Sequence, residues 1–577
     1  MSDDVNQTQS PTKVERVQHY HQATKHEFNR YARSLGYLDW ANQPDPFRRF
    51  HGAPLLPLSR LTLDDAPVSP LYENVVGQRS IPSQPITLTT LSRFFEYALS
   101  ITAWKQYGDT RWALRSNPSS GNLHPTEGYL FLKHLPGLAL EAGLYHYAPK
   151  EHGFEQRLVS AQELANQVFQ GLPAQSFLIG LSSIHWREVW KYGERAFRYC
   201  QHDIGHAIGT CRIAAATLGW QLTLLDGMSD EMVAALLGLN RAEDFPDAER
   251  ESPELMALVW STTPTDPEVV PTCLNHESLS AITKQTWQGH ANRLSTENPV
   301  PWEIIDDVNE ASWKSSVEAL ELRSQSSGNG FFSRTKEQDT SSTAGQIIHQ
   351  RRSAVAFNGV TSIARDRFFR MLQRILPQAQ HPVLHRPVPW DSIPWNPTIH
   401  LALFIHRVDD LPSGLYLLLR HADLALQQLF QASMHEQFVW TKPDQCPEDI
   451  PLYLLEEGNA QQLATQLSCG QEIAGESAFS LGMIAEFDDS LTTYGPWFYR
   501  RLFWEAGLIG QVLYLEAEAA GVRATGIGCF FDDPVHRVFG FFPKTRFQSL
   551  YHFTMGGPVE DGRLMTLPPY EEPISNA

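Results

Sequence analysis

The chain has 577 residues, 42% of them hydrophobic and 11% aromatic, which are globular values on a length that suggests two to four domains. Its 46 Lys and Arg against 65 Asp and Glu give a net charge of −19, an argument against a nucleic-acid surface or a polybasic membrane anchor. The sequence has no apolar run of the ~18–20 residues that span a bilayer. The polar, acidic start Met1–Thr12 shows no secretory signal. Six cysteines (Cys200, Cys211, Cys273, Cys446, Cys469 and Cys529) lack C-x-x-C spacing and signal neither a zinc knuckle nor a disulfide framework. These features predict a cytoplasmic protein of a reducing compartment, without a metal centre.

The first ~65 residues form a lead-in carrying Thr24-Lys25-His26, Leu38-Asp39-Trp40 and Pro44 to Arg48, for which the residues alone supply no role. The most informative stretch follows, Arg115-Ser116-Asn117-Pro118-Ser119-Ser120-Gly121-Asn122-Leu123-His124-Pro125, before the apolar run Tyr129–Leu132. Ser119 and Ser120 can donate hydroxyl hydrogen bonds, and Asn122 offers a donor and an acceptor. Gly121 lets the backbone approach a planar ligand. An ordinary loop entering a strand fits the same composition.

Lys191-Tyr192 places an amine beside a phenol, a pair able to relay a proton if burial or a neighbouring cation moves one pKa toward neutrality. Downstream, Phe197, Cys200, Ile204, Ala207, Ile208, Cys211 and Leu218 follow helical spacing up to a capping Gly219. His202 and His206 stand one turn apart on that helix, but no third metal ligand is placed by the sequence. Trp287, Trp302 and Trp313 suggest a partly ordered arm. Ser324–Gly330 and Lys336–Gly345 read as a disordered connector.

In the second half, Arg351-Arg352-Ser353 makes a candidate phosphate clamp, because guanidinium grips phosphate bidentately; a solvated helix end is the alternative. A second helical pattern runs from Phe498 to Ala520 before Gly521. Gly526-Ile527-Gly528 follows it, a segment whose backbone N–H groups could face a ligand. Gly556 to Arg563 closes the series.

The two halves repeat each other weakly. Tyr192, Gly193, Arg198, Gly205 and Gly219 recur at one offset as Tyr494, Gly495, Arg500, Gly507 and Gly521, and Gly143-Leu144-Tyr145 recurs as Gly414-Leu415-Tyr416. Small residues at Gly205, Ala207 and Gly209 leave room for close helix packing. Lys191 has no such counterpart, since Thr493 stands at its place.

Pro118-Ser119-Ser120-Gly121-Asn122-x-x-Pro125 resembles the flavin-contacting segment of the nitroreductase superfamily. The leading Arg115, Glu127–Leu130 and Lys191-Tyr192 resemble its SagB-type (thiazole/oxazole-forming dehydrogenase) branch. The resemblance implies an α+β fold of two tandem nitroreductase-like domains: a lead-in at 1–65, a domain at 66–265, an arm and linker at 266–340, and a domain at 341–577. The halves would form an intrachain pseudo-dimer around the long helices. It further implies FMN held by Arg115, Pro118, Ser119, Ser120 and Asn122 from the first half. Arg351, Arg352, Ser353, Gly526, Ile527, Gly528 and Arg563 would complete the site from the second. Lys191 and Tyr192 would be catalytic. Val355 stands where the family usually has a basic residue, and Glu73 with Gln78-Arg79-Ser80 resembles a vestigial second clamp. The implied substrate is a small molecule or a modified peptide such as an azoline, handled in a peptide-modifying complex. An NAD(P)H-dependent nitro or quinone reductase and a degenerate flavin-binding scaffold are the competing readings. No dinucleotide-binding G-x-G-x-x-G motif follows a strand.

Overall fold

The computed structural model describes all residues except 1–9, 78–80, 262–272, 275, 298–299, 318–340, 379–380, 422 and 571–577. Two antiparallel sheets organise it. The first runs, in spatial order, Leu55–Pro57, Gly153–Val159, Gly143–Ala148, Thr126–Leu132, Ser176–Ser183, Ser252–Ser261 and Trp220–Leu224. The second runs Leu452–Glu457, Gly414–Leu418, Ile399–Ile405, Phe479–Glu486, Phe547–Gly556 and Arg523–Ile527. With the short edge strand Leu55–Pro57 set aside, both sheets order their strands identically: third, second, first, fourth, sixth, fifth along the chain. In each, an eight-residue helix and then a 22-residue helix join the fourth strand to the fifth: His185–Tyr192 and Ala196–Thr217, then Phe487–Tyr494 and Phe498–Ala519. The weak sequence repeat is therefore a repeat of topology. The central strands Thr126–Leu132 and Ile399–Ile405 are buried along their whole length, as expected of sheets covered on both faces.

The two long helices pack directly on each other, and their sequences explain how. Every residue of Ala196–Thr217 is buried, so no side of it is free for a polar stripe. At the crossing, a Cβ on Gly205 would lie 2.3 Å from the Trp504 carbonyl oxygen and 2.8 Å from Gly507 Cα. Only glycine lets the backbones approach that far. Polar ties reinforce the contact: Trp504 Nε1 donates to Gln201 Oε1 (2.7 Å), Arg500 pairs with Glu254 (3.3 Å) and Asp230, and Arg198 pairs with Asp532 (2.8 Å). These ion pairs are buried, so removing one partner strands a charge at a cost of about 3–5 kcal/mol. Gly219 (φ +69°) and Gly521 (φ +73°) follow the ends of the two helices in the left-handed conformation, as expected.

The lead-in acquires a place. Its helix Lys13–Ala23 opens with a capping box of Thr12 and Glu15, and Tyr20 meets Phe197 (5.7 Å) and Tyr499 (6.3 Å), one from each long helix. The arm also packs. Arg16 donates to Asp307 (2.9 Å) and Glu310 (2.9 Å) of the helix Glu303–Ala311, Trp302 is buried under Arg33, and the Trp287 ring lies against Gly238. Of the connector, residues 324–330 and 336–340 lie outside the described residues, but the disorder expected up to Gly345 is corrected for 341–345. Thr343 and Gln346 form a capping box that starts the helix Ala344–Gln350. Near the C-terminus, Met565–Leu567 adds to Ile101–Tyr107 and Thr110–Arg115 in a three-stranded sheet, bringing second-half chain onto the first half beside Arg115. Among the described residues, no helix is long and apolar enough to cross a membrane.

Candidate active site

A cavity of about 720 Å³ opens where the 115–124 loop faces residues 351–355, 523–529 and 558–561. Its size is that of a cofactor pocket. Both halves line it. Arg115, Pro118, Ser119, Ser120, Asn122 and Tyr192 come from the first; Arg351, Arg352, Ser353, Gly526, Ile527 and Gly528 come from the second.

The first wall is a loop held by its own polar groups. Gly121 (φ +58°), Asn122 (φ +59°) and His124 (φ +53°) are left-handed, which folds the chain sharply. Ser119 Oγ accepts from the His124 N–H (2.8 Å), and Asn122 Nδ2 donates to the Ala113 carbonyl (2.8 Å). Ser120 donates to Asp203 Oδ1 through both its N–H and its hydroxyl (3.1 Å each). Groups expected to turn toward a ligand thus also shape the loop. Arg115 is buried, donating to the Pro46 carbonyl (2.5 Å), and its own carbonyl accepts from Arg351 Nη2 (2.9 Å). Asn117, which sequence reasoning did not single out, lines the cavity with both side-chain amide atoms buried and unpartnered among the described residues.

Lys191 and Tyr192 end the helix His185–Tyr192 and converge over Gly121: a Cβ there would stand 2.6 Å from the Tyr192 hydroxyl and 3.1 Å from Lys191 Nζ. Tyr192 lines the cavity, and Lys191 Nζ lies 5.3 Å from its ring centre. Burial holds the Tyr192 hydroxyl well above its usual pKa, so it keeps its proton. Two carboxyl groups behind this pair escaped the sequence reading. Burial raises Asp203 to about 7, against the opposing effect of its Ser119 and Ser120 hydrogen bonds. Burial, with Asp203 nearby, pushes Glu188 well above the carboxylate range. The available signal was that Glu188 and Lys191 stand three apart on one helix.

The second wall is pinned to the strand Arg523–Ile527. The Ala354 N–H donates to the Ala524 carbonyl (3.1 Å), Thr525 Oγ1 donates to the Ala354 carbonyl (2.6 Å), and Ser353 Oγ meets the Tyr514 hydroxyl (2.9 Å). Arg351 is fully buried, its Nε unpartnered among the described residues, and burial lowers its pKa. Arg352 donates to the His349 (2.9 Å) and Arg351 (2.6 Å) carbonyls. The glycines of 526–528 have a reason beyond ligand approach. A Cβ at Gly526 would strike the Tyr551 hydroxyl at 1.8 Å, and one at Gly528 would strike Tyr199 at 2.2 Å. The Gly526 N–H, expected to face a ligand, donates instead to the Tyr514 hydroxyl (2.9 Å).

Arg563 does not join this constellation. Its side chain is 74% exposed and paired with Asp561 (2.7 Å), outside the cavity lining. Arg523 and Lys105 line the cavity instead, Arg523 paired with Glu560 (2.6 Å) and Lys105 donating to Thr566 (2.8 Å). With Arg351 and Arg352 they give this part of the lining four cations, against the carboxylates Glu560 and Asp561. Val355 lines the cavity and is 77% exposed. His124 lines it with its pKa held well below the usual value by burial. Glu73 pairs with Arg370 (3.0 Å) and Arg374 (2.6 Å), while Gln78-Arg79-Ser80 lies outside the described residues. Among the described residues, no third ligand joins His202 and His206: His202 stacks on Tyr551 (4.1 Å) and His206 Nε2 meets the Tyr551 hydroxyl (3.1 Å). The scattered cysteines give an unexpected result. Cys469 Sγ and Cys529 Sγ stand 2.8 Å apart at the cavity wall, although 60 residues separate them in sequence.

With this geometry described, comparison with known proteins defines the class. Residues 79–246 match the model of the nitroreductase family, so the chain carries a nitroreductase-family domain. More particularly, it is similar to the protein named nitroreductase MJ1384 of Methanocaldococcus jannaschii, 25% identical over 195 residues that make up 32% of this chain and 91% of that one. It is also similar to the trifolitoxin-processing protein TfxB of Rhizobium leguminosarum bv. trifolii, 26% identical over 165 residues, 27% of this chain and 44% of TfxB. A nitroreductase-type crystal structure from Anabaena variabilis shares the fold, with a TM-score of 0.65 at 21% identity over 94% of this chain and 99% of that one.

Proposed function

We propose that the chain is an FMN-dependent oxidoreductase of the SagB type, built as two nitroreductase-like domains (66–265 and 341–577) that act as an intrachain pseudo-dimer with one flavin site. The observation that carries this reading is a cavity with one wall from each half, lined by Arg351, Arg352, Arg523 and Lys105 and bounded by unpartnered polar atoms of Asn117 and Arg351. Buried groups left unsatisfied are costly, and a ligand with phosphate at one end and a polar ring edge at the other would satisfy them. In this reading Arg351, Arg352, Ser353, Lys105 and Arg523 hold the phosphate. Arg115 and the Pro118–Asn122 loop, with Asn117, face the ring from one side; Gly526, Ile527 and Gly528 face it from the other.

When bound, the flavin supplies the two-electron acceptor for hydride. The chain's own residues manage the proton. In this reading Tyr192, which keeps its hydroxyl proton, offers a hydrogen bond to a substrate heteroatom, and Lys191, beside it over Gly121 but outside the cavity lining, is its partner in the acid–base step. Asp203 holds the Ser120 backbone and hydroxyl, fixing the loop beneath them. Similarity to a trifolitoxin-processing protein supports a modified peptide as substrate and a peptide-modifying complex as partner. Cytoplasmic location accords with this reading.

The test is the flavin content and anaerobic spectrum of purified full-length protein. The expected result is one noncovalent FMN per chain, bleached by an azoline-containing peptide. Bleaching by NAD(P)H, with turnover of menadione, would instead establish the nitro or quinone reductase. Flavin that no donor reduces would establish the scaffold reading.

A further inference from the structure

Three segments distant in sequence bring His26, Cys469 and Cys529 to one point, so that Nδ1 and the two Sγ atoms all lie within 4.8 Å of one another. His26 Nδ1 is 3.5 Å from Cys529 Sγ and 4.0 Å from Cys469 Sγ, and the two sulfurs are 2.8 Å apart. We propose that these three side chains bind a zinc(II) ion, with a fourth coordination position open to the cavity.

The donor set is one that zinc favours: two thiolates and one imidazole. Ligands about 2.1–2.3 Å from a common tetrahedral ion stand roughly 3.5 Å apart for N to S and roughly 3.8 Å for S to S. The distance from His26 to Cys529 already matches, that to Cys469 must shorten by about 0.5 Å, and about 1 Å of side-chain rotation parts the sulfurs. Backbone ties pin each ligand. The His26 N–H donates to Asp532 Oδ2 (2.9 Å), and Gln471 Nε2 donates to the Cys529 carbonyl (3.0 Å). Cys469 sits in the left-handed conformation (φ +56°) two residues past the helix Gln461–Leu467, a position that fixes its direction.

The nearby carboxylates already have cations: Asp532 is paired with Arg195 and Arg198, and Asp533 with Lys25. Zinc(II) with two thiolates is itself neutral, so its binding leaves the charge of the region unchanged. Three protein ligands with one open position is the pattern of a zinc that meets exchangeable ligands, not of a closed structural site. Cys469, Cys529 and Tyr31 line the cavity itself, so the open position faces the same space as Gly528. The ligand class for that position is water or a substrate thiolate, amine or carboxylate. A second cluster, His400, His421 and Glu486, carries no such inference. His400 already uses both ring nitrogens, on the Arg420 N–H (3.2 Å) and on Glu486 (3.0 Å).

The test is elemental analysis of untagged full-length protein after incubation with zinc and desalting, alongside cobalt(II) replacement. We expect about one zinc per chain and, with cobalt, the thiolate charge-transfer and tetrahedral d–d bands. In Cys469→Ser, Cys529→Ser and His26→Ala each should fall at least fivefold, while Cys446→Ser keeps full metal. Circular dichroism identifies any variant that fails to fold, and the cobalt spectrum of wild type stands without the variants. Flavin content is measured on the same samples, so failure of the flavin reading and failure of the zinc reading are separable. Metal-free protein with both thiols open to Ellman's reagent would overturn the proposal, as would an intact mass 2 Da low from a Cys469–Cys529 disulfide.

Discussion

Arg351 donates to the backbone carbonyl of Arg115, so a cation of the second half is anchored on the loop strand of the first. The bond is 2.9 Å long and buried, and both residues line the cavity. The clamp and the loop it faces are therefore set by each other, and neither wall has its geometry alone.

Removing this guanidinium should weaken FMN binding. Arg351→Ala is expected to lose about 1.5–3 kcal/mol, roughly 10- to 100-fold in affinity, the worth of a hydrogen bond to a charged group. Arg563→Ala should change affinity by less than about twofold, since exposed pairs contribute little. Fluorescence titration of apoprotein with FMN measures both, and equal losses would return Arg563 to the clamp.

The catalytic pair should separate from cofactor binding. Lys191→Ala and Tyr192→Phe are expected to keep flavin and lose ~10²–10⁴ in turnover, the usual worth of a general acid–base group. Thr493→Ala and Tyr494→Phe should lose far less. Equal losses in the two halves, in single-turnover flavin reduction, would make Lys191-Tyr192 structural.

The helix crossing admits no side chain. Gly205→Val places its Cβ 2.3 Å from the Trp504 carbonyl oxygen, so the helices must part. Overpacking of this kind costs about 1–3 kcal/mol or more, and flavin retention should fall with the melting temperature. Gly562→Val, with open space around it, is the control; matched melting curves would show that the crossing is not tight.

Asp203 predicts a pH dependence. Its pKa is about 7 in the folded chain and about 3.9 when unfolded, so between these values the native state holds a proton that the unfolded state lacks. Stability from this group is then fullest below about pH 4 and declines as pH rises toward 7, by about 4 kcal/mol in all. Urea midpoints from pH 4.5 to 7.5 should fall more steeply in wild type than in Asp203→Asn. Parallel slopes would show that Asp203 titrates normally.

Much of the architecture was legible in the sequence, for identifiable reasons. The long helices carried a helical apolar period and a capping glycine, and the small residues Gly205, Ala207 and Gly209 signalled close helix packing, although the crossing point at Gly205 and Gly507 was not marked by the sequence. The loop at 118–122 and the clamp at 351–353 were contiguous motifs, and the structure brings them to one cavity. Groups that act only through tertiary proximity were not legible. Asn117 lay one residue before the matched Pro118–Pro125 pattern and was given no role, and Asp203 lacked a motif. Arg523 was indistinguishable from any other strand residue, so Arg563 was assigned the role of second cation. The separation of Cys469 and Cys529 by 60 residues hid their contact from any spacing rule.

A cavity with both walls on one polypeptide has a consequence for how it behaves on dilution. In a two-subunit site the walls part as protein concentration falls below the dissociation constant of the dimer, and the ligand is lost with them. Here the walls meet at a fixed effective concentration set by the intervening chain, so ligand retention and melting temperature should not depend on protein concentration. Each substitution also acts on this cavity alone, whereas in a symmetric dimer with two equivalent cavities it would act on both at once.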